Sequence, residues 1–438
     1  MKLTDNDKKI LNGDNGLAPQ KAMELIVRYG EIVGAESLCS VTWADLFCGC
    51  HSYLGVANSI DFDEVFSKMA LCTNEKATLE KMANGCICYS GVEPDCTEIP
   101  EKMFMSDDKK ALNLSFLSRF VDANVILSGN CIPYLTGFVP IMGDHFVSCE
   151  SSAVLFMNSM WGAMGNGDGI EASFCAAVCG RTPLAGMHLK EKRIGTIEVR
   201  ITTNPKTLHD WDNLGYALGR KLPPHSIPVF TGNYEKPNSI ILKTFFASLA
   251  CSSGTEMCHI VGITPEAPSY EEAFKKSKLI DGKCCGNRKV DSITLSIEEI
   301  EKAKLSLTSK DSSSCRTKHI DYITIGCPHL HIEELREVAR FLDGKKIHSG
   351  THVDIWTTGP MKYMAERCGY AKVIENAGAN ILTGGCPSNR GYPNGTKKVA
   401  FDSSKQRQDA PINLGNDNIF FGSRQSCLES AIKGYWVE

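Results

Sequence analysis

Three cysteines share one local pattern. Cys327 follows a strand-like run from Ile320 to Ile325 and Gly326, and precedes Pro328 and a helix with Ile332, Leu335, Val338, Ala339 and Leu342 on one face. Cys131 follows a run from Asn124 to Ser128 with Gly129 and Asn130 between, and Cys386 follows a run from Asn380 to Thr383 with Gly384 and Gly385 between. Each therefore closes a predicted strand. In an open α/β sheet that is the edge where ligands bind, because the following helices aim their N–H groups there. The three are far apart in sequence, so only the fold can bring them together. Three thiolates, rather than four, suit an iron–sulfur cluster that keeps one iron open for Lewis-acid chemistry. The competing reading is a buried thiol in each place, since cysteine also packs as a small hydrophobe.

Other residues near these turns have useful chemistry. His329 and His331 flank the turn after Cys327, where imidazoles can line a site. Glu150 and Ser151 open a predicted helix from Glu150 to Met160 and can face a ligand. The segment GAMGNGDG lacks a preceding strand and dinucleotide-type glycine spacing; it reads as a turn, or as a loop presenting Asn166 and Asp168 to a small anion or a metal-bound ligand. Two C-x-C pairs, Cys48 with Cys50 and Cys86 with Cys88, can chelate zinc or exchange disulfides, but the spacing is shorter than in most structural zinc sites, and buried thiols are the plainer account.

The elements that must hold these residues are those of an α/β protein. The chain has 438 residues, enough for several domains. We place one α/β domain over 1–205 with Cys131, a second over 206–318, and a third over 319–438 with Cys327 and Cys386. Thr4 or Asn6 caps a short first turn into Ile10 and Leu11, and Pro19 opens a longer amphipathic helix carrying Met23, Ile26 and Val27. A further helix is predicted over Glu75 to Ala83. GTIEVRITT, IPVFTG and CHIVGITPEAP read as strands, DWDNLGYALGR as a turn and helix, and Leu305 to Lys318 as a polar linker. No repeat of solenoid period is visible.

Composition narrows the class. The net charge is −4, with no run of like charge and no basic stripe interleaved with aromatics, which argues against nucleic-acid binding. No apolar run is long enough to span a membrane, and MKLTDNDKKILNG lacks the apolar core of a signal peptide, so a cytoplasmic protein is expected. Twenty cysteines at irregular spacing over a long chain point to reduced thiols and metal ligation rather than a disulfide framework.

These motifs together resemble one family. LTDNDKKILNG, CIPYLTGFVPIMGDHFVSCESSAVLFMNSMWGAMGN, CGRTPLAGMHL, DWDNLGYALG, VGITPEAP, GCPHLHIEEL and FGSRQSCLESAIKG cover nearly the whole chain and resemble the large part of the aconitase X group within the aconitase superfamily. The resemblance implies a three-domain architecture with parallel or mixed sheets around a central cleft. It implies a hydro-lyase dependent on iron–sulfur or iron, with Cys131, Cys327 and Cys386 as ligands to a 4Fe-4S or 2Fe-2S cluster or a mononuclear iron. The implied reaction dehydrates a small 3-hydroxy carboxylate such as cis-3-hydroxy-L-proline, with mevalonate 5-phosphate as the alternative. Glu150, Ser151 and His329 become candidates for proton handling, and Tyr134, Asn158, Asn166 and Arg181 for substrate contact. A small swivelling domain, on a separate chain, is the implied partner. The chain departs from the family pattern at Thr42 to Gly49, at CYSGVEPD, and at Gly384 and Gly385, where aspartate and threonine are usual before the last cysteine. From other classes, a zinc or thiol-redox protein and a non-catalytic assembly subunit remain as rivals.

Overall fold

The computed structural model describes residues 1–48, 59–91, 106–232, 234–275, 279–280, 283–284, 290–308, 319–388, 392–393, 395–410 and 418–437. Its contacts divide the chain into two units: Met1–Ser128, Pro133–Gly195 and Glu256–Asn287 form the first, and Gly129–Ile132, Thr196–Thr255 and Arg288–Glu438 the second.

The first unit opens with α1 (Asp5–Leu11), whose start is closed by a capping box between Thr4 and Asp7, and α2 (Leu17–Ile32), which buries Ala22, Met23 and Ile26. Strand β1 (Leu38–Ser40) pairs antiparallel with β6 (Arg181–Pro183). Strands β2 (Trp43–Leu46), β3 (Ile87–Ser90), β4 (Val125–Ile126) and β5 (Phe146–Ser148) form a parallel sheet in the order β4-β3-β2-β5. Helix α3 (Phe62–Met69) and helix α4 (Asp107–Asp122) contribute Phe62, Phe66, Phe116 and Phe120 to an edge-to-face aromatic cluster. The predicted helix at Glu75 to Ala83 is absent. Ala77 and Leu79 are buried two residues apart while their neighbours Lys76, Thr78 and Glu80 are exposed, and this period-two burial belongs to extended chain. The predicted helix from Glu150 to Met160 starts as α5 (Ser151–Phe156) but widens into a π-helical turn over Met157–Trp161. Helix α6 (Ile170–Cys179) then leads into β6.

The second unit contains a parallel group, β7 (Ile197–Ile201), β8 (Pro228–Gly232) and β9 (Asp291–Thr294), with β7 central. Helices α7 (Leu208–Gly219) and α8 (Ser239–Ser253) pack together; Gly215 allows the approach, since a Cβ there would lie 2.2 Å from the Ser248 hydroxyl. Helix α9 (Ile297–Leu307) carries the first residues of the predicted linker, and 309–318 lie outside the described residues. A five-stranded parallel sheet follows, with β10 (Tyr322–Leu330) central, β11 (His352–Thr357) and β12 (Asn380–Leu382) on one side, and β13 (Val399–Phe401) and β14 (Ile419–Phe421) on the other. Its buried strands read as near-continuous apolar runs, as a sheet covered on both faces requires. The fold is mixed α/β with parallel sheets.

Candidate metal centre

The strand that carries Cys327 does not stop where the sequence suggests. It runs on to Leu330, but its register against β11 breaks between Ile325 and Leu330. Pro328 has no N–H to give to a ladder, and Gly326 sits at φ +111°, with a built Cβ only 2.4 Å from the Trp356 carbonyl. Gly-Cys-Pro is therefore a break inside a buried strand, and Cys327 lies within it. The next helix, α10 (Ile332–Leu342), begins at once, with His331 at its N-cap and Glu334 reaching back to the His331 N–H at 2.8 Å.

Two charged networks fix the irregular backbone. Lys243, from the otherwise apolar α8, is fully buried; its Nζ donates to the His329 carbonyl at 2.7 Å, to the Pro328 carbonyl at 3.4 Å and to Glu334 at 2.8 Å. Arg424 bridges Glu334 at 3.0 Å and Asp402 at 2.8 Å, while Asp402 accepts from the Gly326 N–H at 3.3 Å. Burial alone would push the Glu334 carboxyl up, but Lys243 and Arg424 outweigh it and hold that carboxyl below its usual range. A buried charge set this complete orients the carbonyls and N–H groups of residues 326–329, which ordinary strand pairing no longer does.

The segment brings the three sequence-selected cysteines together within the second unit. The His329 N–H donates to the Cys131 sulfur at 3.4 Å, and the His329 Nε2 donates to the Gly385 carbonyl, next to Cys386, at 3.0 Å. The Cys327 thiol is pushed well up by burial and further by Cys386 and Cys131, while Lys405 pulls it down. Thiols that penalise each other's ionisation in this way are a set that a cation would relieve. An all-sulfur trio of this kind suits an iron–sulfur cluster, whose usual protein ligands are thiolates.

The other sequence-selected residues fall in the first unit, apart from His331 in the second, and most carry structural bonds. Glu150 caps α5, accepting from the Ser152 hydroxyl at 2.9 Å, and Ser151 is exposed at the first helical position. Asn158, inside the π-helical turn, clasps the Gly165 N–H and carbonyl and bonds Arg193 at 3.0 Å. Asn166 holds the Met187 N–H and the Ala185 carbonyl. Tyr134 is buried and stacked on Phe156. Arg181 is spent on Asp7 at 2.7 Å, on Ser40 and on the Leu38 carbonyl, so its charge locks α1 onto β1. Cys86 and Cys88 lie 3.7 Å apart, sulfur to sulfur, while Cys50 lies outside the described residues. His331 faces Glu333 on its own helix.

Sequence reasoning missed Lys243, Glu334, Asp402, Arg424 and Lys405. The one signal for Lys243 was a lone lysine among the apolar residues of IILKTFFASLA. Its partners are set by the fold.

Comparison with known proteins decides the family. Models of the aconitase X first, second and third domains match residues 1–191, 195–303 and 320–433. The chain belongs to the aconitase X family. It is 30% identical, over 99% of its own length and 100% of the relative's, to the phosphomevalonate dehydratase large subunit of Methanocaldococcus jannaschii. It is 27% identical to the cis-3-hydroxy-L-proline dehydratase of Hypocrea jecorina, over 100% of this chain but 69% of that protein. The crystal structure of Thermococcus kodakaraensis aconitase X in its holo-form superposes with a TM-score of 0.78 at 25% identity, covering 98% of this chain and 100% of that one. These relatives are dehydratases, and this aconitase X chain is an enzyme of the hydro-lyase class. Its cysteine-rich unit is of a kind compatible with metal or iron–sulfur binding, and among the described residues no helix is long and apolar enough to cross a membrane.

Proposed function

We propose that the chain is the large subunit of a cytoplasmic iron–sulfur dehydratase that eliminates water from a small 3-hydroxy carboxylate. The observation that carries this reading is the meeting of Cys131, Cys327 and Cys386 around a strand break held by Lys243, Glu334, Arg424 and Asp402. Their all-sulfur donor set supports a cluster over a single iron. When bound, such a cluster supplies a Lewis acid that makes the substrate hydroxyl a better leaving group. Cys131, Cys327 and Cys386 would hold it. His329 is a positioning residue: fully buried, it spends its backbone N–H on Cys131 and its Nε2–H on the turn before Cys386. Lys405 sets a positive charge beside Cys327, suited to a carboxylate. Glu150 and Ser151 remain the candidates for proton transfer from this chain, and a small partner subunit completes the enzyme, as the name large subunit of its relatives suggests.

For the substrate we favour cis-3-hydroxy-L-proline. A phosphate needs several fixed cations, yet Lys243, Arg424 and Arg181 are each neutralised by carboxylates, and Arg390 lies outside the described residues. Mevalonate 5-phosphate is the second reading, favoured by end-to-end coverage of the phosphomevalonate dehydratase large subunits against 69% of the proline enzymes. Turnover of both compounds by the anaerobically prepared chain with its small partner separates the two; dehydration of the phosphorylated compound alone overturns the first choice.

A further inference from the structure

A second metal-type cluster lies in the first unit, built from three separate segments. Cys39 comes from β1, His145 from the lead into β5, and His188 from the turn Gly186–His188. One ligand atom from each lies within 4.8 Å of the other two, and the two imidazoles face each other with Nδ1 to Nδ1 at 3.0 Å. Two nitrogens on one tetrahedral ion, with bonds near 2.0–2.1 Å, stand about 3.3 Å apart. The rings are thus already close to the separation that a shared metal sets. Without one, a single proton must serve two facing nitrogens.

We propose that Cys39, His145 and His188 form a zinc site, with an open fourth position that takes water. One soft thiolate and two imidazoles are a borderline donor set matched to zinc, whereas the all-sulfur trio of the second unit is matched to iron–sulfur. Zinc binding displaces the Cys39 proton to solvent, and the thiolate so formed is paired with the cation.

The surroundings agree with a ligated ion. His188 is buried, and its Nε2 has no hydrogen-bond partner among the described residues. Asp168 is also buried and close enough to act electrostatically on Cys39. One of its oxygens accepts from the Tyr29 hydroxyl at 3.0 Å, and the other, Oδ2, has no hydrogen-bond partner among the described residues. That oxygen is an unused acceptor within electrostatic range of Cys39, of the kind a zinc-bound water would need. The glycine-rich loop GAMGNGDG thereby acquires a purpose: it delivers Asp168 while Asn166 pins the turn that carries His188.

Metal analysis of the full chain tests this. Protein loaded with zinc and passed through a desalting column should retain about one zinc per chain at this site. Cys39→Ser and His188→Ala should each lose that zinc with iron content unchanged, and Cys327→Ser should lose iron and keep the zinc. Cobalt gives a second readout: a thiolate-to-cobalt absorption band should persist in Cys327→Ser and vanish when Cys39→Ser is added. The proposal is overturned if wild-type protein retains no zinc, if zinc and cobalt follow Cys327 rather than Cys39, or if Cys39→Ser, folded by circular dichroism, binds both as the parent does.

Discussion

At the scale of single residues, the role assigned to a thiol can be separated from its burial. Cys48, Cys88, Cys131 and Cys327 are all buried, but only Cys131 and Cys327 belong to the trio around His329. Cys131→Ser, Cys327→Ser and Cys386→Ser should each lose most of their iron and activity, whereas Cys48→Ser and Cys86→Ser should keep both; equal iron in all five variants refutes the assignment. A second residue-scale effect concerns acid. Burial raises the Asp212 carboxyl to about 7, although the Ser404 N–H and hydroxyl donate to it at 2.9 and 2.8 Å. Its folded value lies above its unfolded one, so the folded state holds the extra proton, and its contribution to stability is full below 3.8 and is lost as pH rises through about 7. Asp212→Asn should therefore flatten the fall in melting temperature over that window, and an unchanged pH profile would count against the assignment. Asp45 and Asp168, raised to about 7 by burial, slope the same way.

At the scale of elements, the strand break in β10 and its charged supports act together. Lys243→Met removes one charge from a fully buried network and leaves Glu334 with Arg424 alone, which should cost about 3–5 kcal/mol in denaturant unfolding. A cost under about 1 kcal/mol would mean that Lys243 is not what holds the 328–329 carbonyls. Gly326→Ala drives a methyl into the Trp356 carbonyl and demands positive φ of a residue that resists it, so the variant should lose iron even where it still folds. How far these elements were readable from sequence depended on range. Strand, Gly-Cys and following helix were legible near 327 because alternation and amphipathic spacing are local signals. That β10 continues past the break was not, since it depends on what β11 offers alongside. Residues 75–83 carry apolar side chains that fit two periods, and packing selected the extended one. Asn158, Asn166 and Arg181 were picked for substrate contact, and their structural partners, such as Asp7 for Arg181, are invisible until the chain is folded.

At the scale of the whole molecule, the match in length to proteins named as large subunits makes a specific demand. The chain, purified with its cysteine trio loaded, should show little dehydratase activity alone and gain at least about tenfold when a small partner subunit is supplied, as expected where a second chain completes a closed site. Full activity from the isolated chain would refute the two-chain enzyme. The same chain ordering has a genetic consequence. Gly129–Ile132 is a four-residue insertion of the second unit into the first, and it carries Cys131. A gene cut near Gly195 would put Cys131 on one product and Cys327 with Cys386 on the other. Neither half would then encode all three proposed ligands, so fission there would divide the thiols between two products.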